Sequence, residues 1–330
     1  MKSQWNHKIF TVNEQRFKPL ALEIFRFQYS NNPVYREYVD ALRVNVSRVD
    51  SITRIPFLPI RFFKSHAVQT TEYDPVVVFE SSGTTGSINS RHMVKDTGLY
   101  HESFTRTFEL FYGPVKDWCV IGLLPSYLDR KNSSLVFMVN ELIGRSGHPQ
   151  SGFYMHEHNK LFEVLTSLEA AGQKTILIGV TFALLDLAEK YSLSLKHTII
   201  METGGMKGRR KEMIRQEVHD ILRQAFHLTA IHSEYGMTEL LSQAYSKGEG
   251  VFHCPPWMKI LLRDEEDPLS VRHPAGGRYS GAINIIDLAN IYSCSFIATD
   301  DAGRLYNDGS FEVLGRLDNS DLRGCSLMTI

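Results

Sequence analysis

The sequence predicts an α/β fold: parallel-sheet βα layers, a smaller β-rich subdomain from about residue 250, and a helical N-terminal segment. Three observations predict it. Between residues 97 and 235, apolar runs of strand length alternate with stretches of helical spacing, the pattern of a parallel sheet with helical crossovers. Beyond residue 250 the helical period fades into short β-type runs between turns. Ahead of both, residues 13–43 repeat apolar side chains at helical spacing. The expected division is a helical segment over 1–75 packed on the main body, a core over 76–314, and a tail over 315–330.

In chain order, Phe17, Leu20, Ala21, Ile24 and Phe25 give a helix over 13–29, and a second follows Pro33 over 34–43. Ile55–Lys64 holds two prolines, which forbid a regular helix. It reads as a rigid apolar connector under the core or as the frame of an apolar channel. Val76–Phe79 reads as a strand. A helix over 99–112, a strand over Trp118–Leu124, and helices over Ser133–Leu142 and 159–171 follow. Then come a strand at Thr175–Gly179, a helix over 182–191 opened by Thr181, and a strand at His197–Met201. Met213, Ile214, Val218, Ile221, Leu222 and Phe226 mark one face of a helix over 208–226, and Leu228–Ile231 reads as the next strand. The later β-type runs are Val251–Leu262, Gly281–Asp287, Ser295–Ala298 and Phe311–Leu314. There is no internal repeat or low-complexity segment.

The bulk numbers exclude several classes. With 330 residues, 43% hydrophobic and 22% charged, the chain can bury a large core. A net charge of -1, from 36 basic and 37 acidic residues, gives no electrostatic footprint for nucleic acid. Cys119, Cys254, Cys294 and Cys325 form no C-x-x-C pair, so neither a zinc knuckle nor a thioredoxin-type motif is indicated, and the scatter fits a reducing compartment. The first residues lack the apolar core of a signal peptide, and the longest apolar region, Thr175–Ala188, is interrupted by Asp186, so no membrane span and a cytoplasmic location are expected.

The chemistry-bearing stretches lie at strand ends. Val76–Phe79 runs into Glu80 and then Ser81-Ser82-Gly83-Thr84-Thr85-Gly86. Glycines allow close backbone approach, and exposed N–H groups with Ser and Thr hydroxyls suit phosphate oxygens. No Gly-Lys-Ser/Thr follows, so this is not a Walker-type loop. A second stretch, His232-Ser233-Glu234-Tyr235-Gly236-Met237-Thr238-Glu239, follows an apolar strand, where α/β sheets place ligands. An aromatic ring there can stack on a base, a threonine can bond a phosphate, and a carboxylate can hold a hard cation such as Mg²⁺. Gly204-Gly205 reads as a strand-to-helix turn or as part of a ligand pocket, and Lys207, Arg209 and Arg210 as a solvated helix start. Thr299-Asp300-Asp301-Ala302-Gly303, taken alone, reads as a β-turn. Gly315-Arg316-Leu317-Asp318, continuing to Gly324, reads as a charged terminal turn.

In this order the motifs resemble those of the adenylate-forming (ANL) superfamily, which activates carboxylic acids with ATP: S-S-G-T-T-G, Y-G-x-T-E at Tyr235–Glu239, T-D-D-x-G and G-R-L-D. The proline-broken segment ending in Phe62-Phe63-Lys64, shortly before the phosphate loop, is similar to LuxE-type acyl-protein synthetases, the fatty-acid-activating subunits of bacterial luminescence systems, which have relatives outside luminescence. The resemblance spans most of the chain. It implies the adenylate-forming large-domain fold and use of ATP and Mg²⁺. It assigns Ser81, Ser82, Gly83, Thr84, Thr85 and Gly86 to the phosphates, Gly204, Gly205, Ser233, Glu234, Tyr235 and Gly236 to the nucleotide site, and Asp301 and Arg316 to the ribose or phosphate. Glu239, Thr238, Arg316 and Cys325 become the catalytic candidates, and Glu239 and Thr85 the Mg²⁺ ligands.

The sequence departs from the pattern in places. Asp300 stands where glycine is usual, which leaves the ribose ligand open between two aspartates. The usual Pro-Lys after the loop is replaced by Ser87-Ile88-Asn89-Ser90-Arg91, with Arg91 a candidate for the charge. A lid domain with its catalytic lysine is not expected, since six residues follow Gly324, and Arg91, Lys64, Lys207 or a partner are candidates to replace that lysine. LuxE-type proteins carry the acyl group on a cysteine near the C-terminus, which matches Cys325 beside Arg323. The expected reaction is activation of a carboxylic, by resemblance fatty, acid and acyl transfer to Cys325 or an acceptor protein. The alternatives are a CoA ligase resembling phenylacetate-type ligases and an inactive nucleotide-binding module.

Overall fold

The computed structural model describes residues 4–81, 88–125, 131–204, 213–264, 267, 269–272 and 279–317. The N-terminal helices form as expected. The Asn13 side chain accepts from the Arg16 N–H and caps the helix Glu14–Asn31, whose Phe17, Ala21, Ile24 and Phe25 are buried. Asn32 caps the next helix, Pro33–Ala41, with proline in its first turn. Gln28 fastens this segment to the body. Its buried Nε2 donates to the carbonyl oxygens of Asn290 (3.1 Å) and Ile291 (3.0 Å), and its Oε1 accepts from the Ser295 N–H (2.9 Å). Among the described residues no helix is long and apolar enough to cross a membrane.

The strands in chain order are β1 Leu58–Pro59, β2 Val77–Glu80, β3 Arg91–Val94, β4 Cys119–Leu123 and β5 Gly152–Phe153. Next are β6 Thr175–Gly179, β7 Thr198–Glu202, β8 His232–Tyr235, β9 Ala244–Ser246 and β10 Val251–His253. The last are β11 Met258–Arg263, β12 Val271–Arg272, β13 Tyr279–Asp287, β14 Phe296–Leu305 and β15 Phe311–Arg316. One sheet runs β12-β11-β13-β14-β15-β10-β9-β8-β7-β6-β4-β5. From β8 through β7, β6 and β4 to β5 the pairing is parallel, with Thr175, Ile176 and Leu177 opposite Thr198, Ile199 and Ile200. From β8–β9 onward it is antiparallel. The β-rich part is therefore the antiparallel continuation of the same sheet. β4 and β6 are buried along their whole length, as strands covered on both faces must be.

Four expectations are corrected in detail. The strand Val76–Phe79 is not part of the parallel sheet. As β2 it pairs, among the described residues, with β3 in a separate antiparallel two-stranded sheet, with Glu80 opposite Arg91. The strand expected at Leu228–Ile231 begins instead at His232, so motif residues belong to the strand itself. Thr299–Gly303 is the middle of β14, with a register shift between Ala302 and Gly303. The run Val251–Leu262 is cut into β10 and β11 around Pro255 and Pro256, which cannot donate to a ladder. Ile55–Lys64 is a connector, since β1 pairs in parallel with β14 and the Ile60 N–H donates to the Ala298 carbonyl oxygen (2.9 Å). Its far end, Ile60 and Lys64, also borders a cleft.

Candidate active site

A cleft of about 520 Å³ opens just beyond the carboxyl ends of β6, β7 and β8, bordered by Val180, Thr203–Gly204 and Gly236–Glu239. This is where an open parallel sheet leaves room for a ligand. Ser81 and Ile88, at the two ends of the hydroxyl-and-glycine loop, line the same cleft as Glu239. Ser82, Gly83, Thr84, Thr85 and Gly86 themselves lie outside the described residues, as do Gly205, Lys207, Arg209, Arg210, Asp318 and Cys325.

The hairpin is fastened to the Thr238-Glu239 segment by its second strand. The Ser81 N–H donates to the Ser90 carbonyl oxygen (3.1 Å) and the Ser90 N–H to Ser81 Oγ (2.9 Å), closing the base of the loop. Ser90 and Glu239 line the same cleft, and the Ser90 hydroxyl favours the charged form of that carboxylate. Two residues on, buried His92 donates through Nδ1 to the Thr238 carbonyl oxygen (2.8 Å). Behind these, Asn290 Nδ2 donates to the carbonyl oxygens of Glu239 (2.7 Å) and Cys294 (2.9 Å). Buried Asp287 accepts from the N–H groups of Leu241 (2.8 Å) and Ser242 (3.0 Å) and from the Ser242 hydroxyl (2.6 Å). The turn after β8 is thus held by the hairpin on one side and the β13 end on the other.

Burial sets the protonation of this region. It pushes Glu239 up, opposed by the Ser90 hydrogen bond and the positive charges of Arg316 and Lys64. It pushes Asp287 up to about 6 against its hydrogen bonds, and His92 down to about 4. Glu234, half-buried in the cleft wall, is pushed up to about 8 by desolvation, with the Glu202 charge adding to it.

On the far side, the Tyr235 hydroxyl donates to Asp301 Oδ2 (2.9 Å), the Arg316 Nε lies 3.8 Å from Asp301 Oδ1, and Asp301 and Arg316 are register partners on β14 and β15. Asp301 is pushed up by burial, with Tyr235 and Arg316 opposing. Asp300 also borders the cleft. Gly204 has φ +77°, a left-handed conformation that favours glycine, and its N–H donates to the buried Glu202 carboxylate (2.7 Å), which also accepts from the Thr181 hydroxyl. At Gly236 a Cβ would meet the Glu234 carboxylate, so a side chain there would have to displace it.

The structure therefore brings Ser81, Gly204, Glu234, Gly236, Thr238, Glu239, Asp301 and Arg316 to one cleft. Two further assigned side chains point away from it. Tyr235 is 8% exposed and packs on Phe252 and Phe311, so its ring faces the core and it reaches the site only through its hydroxyl. Ser233 is 1% exposed and points to His219 Nε2 (3.4 Å), behind the cleft. The alternation of a strand explains both, because Ser233 and Tyr235 share the face opposite Glu234. Arg91 stays outside the cleft, 3.9 Å from Glu80, whereas Lys64 borders it. Sequence reasoning missed Ser90, His92, Gln243, Asp287 and Asn290. Reading Val77–Glu80 and Arg91–Val94 as two arms of one hairpin would have found the first two.

The donor set suits Mg²⁺. Among the described residues no cluster of three or more His, Cys, Asp or Glu could hold a metal ion. Glu80 and Glu239 both border the cleft beside the base of the hydroxyl loop, and Mg²⁺ takes one or two carboxylates with phosphate and water oxygens completing its shell.

Comparison with known proteins agrees with this fold. Among solved structures, 2-hydroxyisobutyryl-CoA ligase in complex with 2-HIB-AMP and CoA superposes with a TM-score of 0.67 at 14% identity, covering 95% of this chain and 70% of that one. ATP-bound MatB from Rhodopseudomonas palustris gives 0.55 at 15% identity, over 74% of this chain and 49% of that one. The luciferase-like enzyme from the nonluminescent Zophobas morio mealworm gives 0.51 at 15% identity, over 76% and 60%. The chain thus spans about half the length of MatB, and the likeness shows the adenylate-forming fold. No curated protein sequence matches. A family model described as acyl-protein synthetase, LuxE, matches residues 9–329, and the chain belongs to that family.

Proposed function

We propose that the chain activates a carboxylic acid with ATP as its acyl-adenylate and passes the acyl group to a thiol. One observation carries the reading: Ser81 and Ile88, at the two ends of the phosphate-type loop, line one cleft with Glu239, Asp301 and Arg316. The loop from Ser81 would take the ATP phosphates, Asp301 the ribose hydroxyls, and Arg316 an anionic oxygen. Glu239, with Thr85, would hold Mg²⁺, which when bound neutralises phosphate charge. A carboxylate oxygen of the acid attacks the α-phosphorus, the bond to the bridging oxygen breaks, and pyrophosphate leaves with the electron pair. Lys64 and Arg316 are the described cations beside Glu239 that can stabilise the charge in that transition state.

In the second step a thiolate attacks the acyl carbon and AMP leaves. Burial pushes the thiols of Cys119, Cys254 and Cys294 above their ordinary range, the last to about 12, which disfavours all three as acceptors. Cys325, an acceptor protein or CoA remains, and the family points to a fatty acid as donor. The test is acid-dependent exchange of labelled pyrophosphate into ATP. Exchange that depends on an acid and fails in Glu239→Gln supports the reading. ATP binding without exchange, for any acid in a broad panel, would overturn it in favour of a nucleotide-binding module.

A further inference from the structure

We propose that Lys64 is a catalytic residue of the adenylation step: its ammonium group donates to the α-phosphoryl oxygens and neutralises the charge that gathers there, while Arg316 serves binding. The inference rests on the adenylation reading and names the cation that drives its chemistry. Among the described residues, five carboxyl groups line the cleft against two cations, Lys64 and Arg316. A triphosphate and a carboxylate approach each other in so acidic a site only against repulsion. A positive group at the bond being made offsets it.

The two cations are not equivalent. The Arg316 Nε lies 3.8 Å from Asp301 Oδ1, and the two residues are register partners on β15 and β14, so its charge is already answered. Lys64 has no side-chain partner among the described residues, and its charge acts on the buried Glu239 carboxylate in the same cleft. An ammonium on a flexible stem with rotatable donors suits an oxygen whose position shifts as a bond forms.

That stem starts from a fixed point. The N–H groups of Phe63 and Lys64 donate to the carbonyl oxygens of Ile60 (3.1 Å) and Arg61 (3.0 Å). Phe63 is 1% exposed and meets the His92 ring edge-on, with centroids 5.9 Å apart, and His92 in turn holds the Thr238 carbonyl oxygen. The Lys64 backbone is thus tied, through its neighbour, to the segment that carries Glu239. From the other side the Tyr35 hydroxyl donates to the Pro56 carbonyl oxygen (2.6 Å), and the Tyr38 ring packs on Phe62. The N-terminal helices therefore brace the cation as well as the core. In the reaction a carboxylate oxygen bonds to the α-phosphorus, the bond to the bridging oxygen breaks, and pyrophosphate leaves with the electron pair. Lys64 donates hydrogen bonds and transfers no proton.

The test is pyrophosphate exchange at saturating acid, with ATP varied, in wild type, Lys64→Met, Lys64→Arg and Arg316→Met. Lys64 is exposed, so its variants should keep the wild-type Tm. Lys64→Met should lower the saturating rate roughly 100-fold with the KM for ATP within about threefold. Lys64→Arg, which keeps the charge, should retain at least about a tenth of the wild-type rate, and Arg316→Met should act on the KM for ATP instead. Four results overturn the inference and leave adenylation standing: a Lys64→Met rate within about threefold of wild type, a loss confined to KM, a Lys64→Arg variant as impaired as Lys64→Met, or an equal loss of rate in Arg316→Met. No exchange in the wild type with any acid overturns the adenylation reading and this inference with it.

Discussion

Lowering the pH should loosen the joint between the hairpin and the Thr238-Glu239 segment through one residue. His92 is 1% exposed and holds the Thr238 carbonyl oxygen at 2.8 Å, and burial lowers its pKa from the ordinary 6.5 to about 4. The folded state therefore keeps the imidazole neutral where the unfolded chain already binds a proton. Stability from this group is complete above pH 6.5, falls as the pH drops below it, and levels off below 4. Integrating the two titrations gives a loss of about 2 kcal/mol between pH 7 and pH 5, and about 3 kcal/mol by pH 4. Asp287, raised by burial to about 6, acts in the opposite direction, so the wild-type slope alone is a mixture. The informative measurement compares urea unfolding of wild type and His92→Gln at pH 7 and pH 5. Glutamine can still donate to Thr238 but does not titrate. The variant should lose about 2 kcal/mol less than wild type over that interval. Parallel slopes in the two proteins would refute the neutral, buried imidazole.

Glu239→Gln should lower pyrophosphate exchange roughly a hundredfold while shifting Tm by less than about 4 °C; equal losses of Tm and activity would remove the metal role. Tyr235→Phe deletes the donor to Asp301 and should raise the KM for ATP at a stability cost of about 1 kcal/mol, and an unchanged KM would show that Asp301 does not depend on that bond. Incubation with ATP and a substrate acid should add one acyl mass to the intact protein, abolished in Cys325→Ala. Steady pyrophosphate release without the adduct would leave CoA or an acceptor protein as the second-step thiol.

Much of the molecule was legible in the sequence because its signals are local. Helical spacing marked the helix Glu14–Asn31 through Phe17, Ala21 and Ile24, and Thr175–Gly179 announced a strand buried on both faces. The motifs at Ser81, Thr238-Glu239 and Asp301 did converge on one cleft. What was not legible depended on pairing between distant segments. β2 looks like any apolar strand until its partner is known, and only the pairing with β3 puts Ser90 and His92 beside Glu239 and Thr238. The faces of β8 were hidden for a related reason. Starting the strand at His232 rather than ending it at Ile231 sends Tyr235 to the core and Glu234 to the cleft. Gln243 carries no motif at all, and its open amide oxygen is visible only once everything around it has been placed.

The position of β15 bears on how the protein is made. Phe311–Arg316 is the last strand in the sequence described, yet it is threaded between β14 and β10, with Phe311 facing Phe252 and Leu305, and Arg316 facing Asp301. A nascent chain on the ribosome can assemble the parallel layers early, but it holds two unzipped ladder edges until residue 316 emerges. The antiparallel half, and the Asp301–Arg316 wall of the cleft with it, closes only once residue 316 has been made, and in that interval β10 and β14 are the strands a chaperone would need to shield.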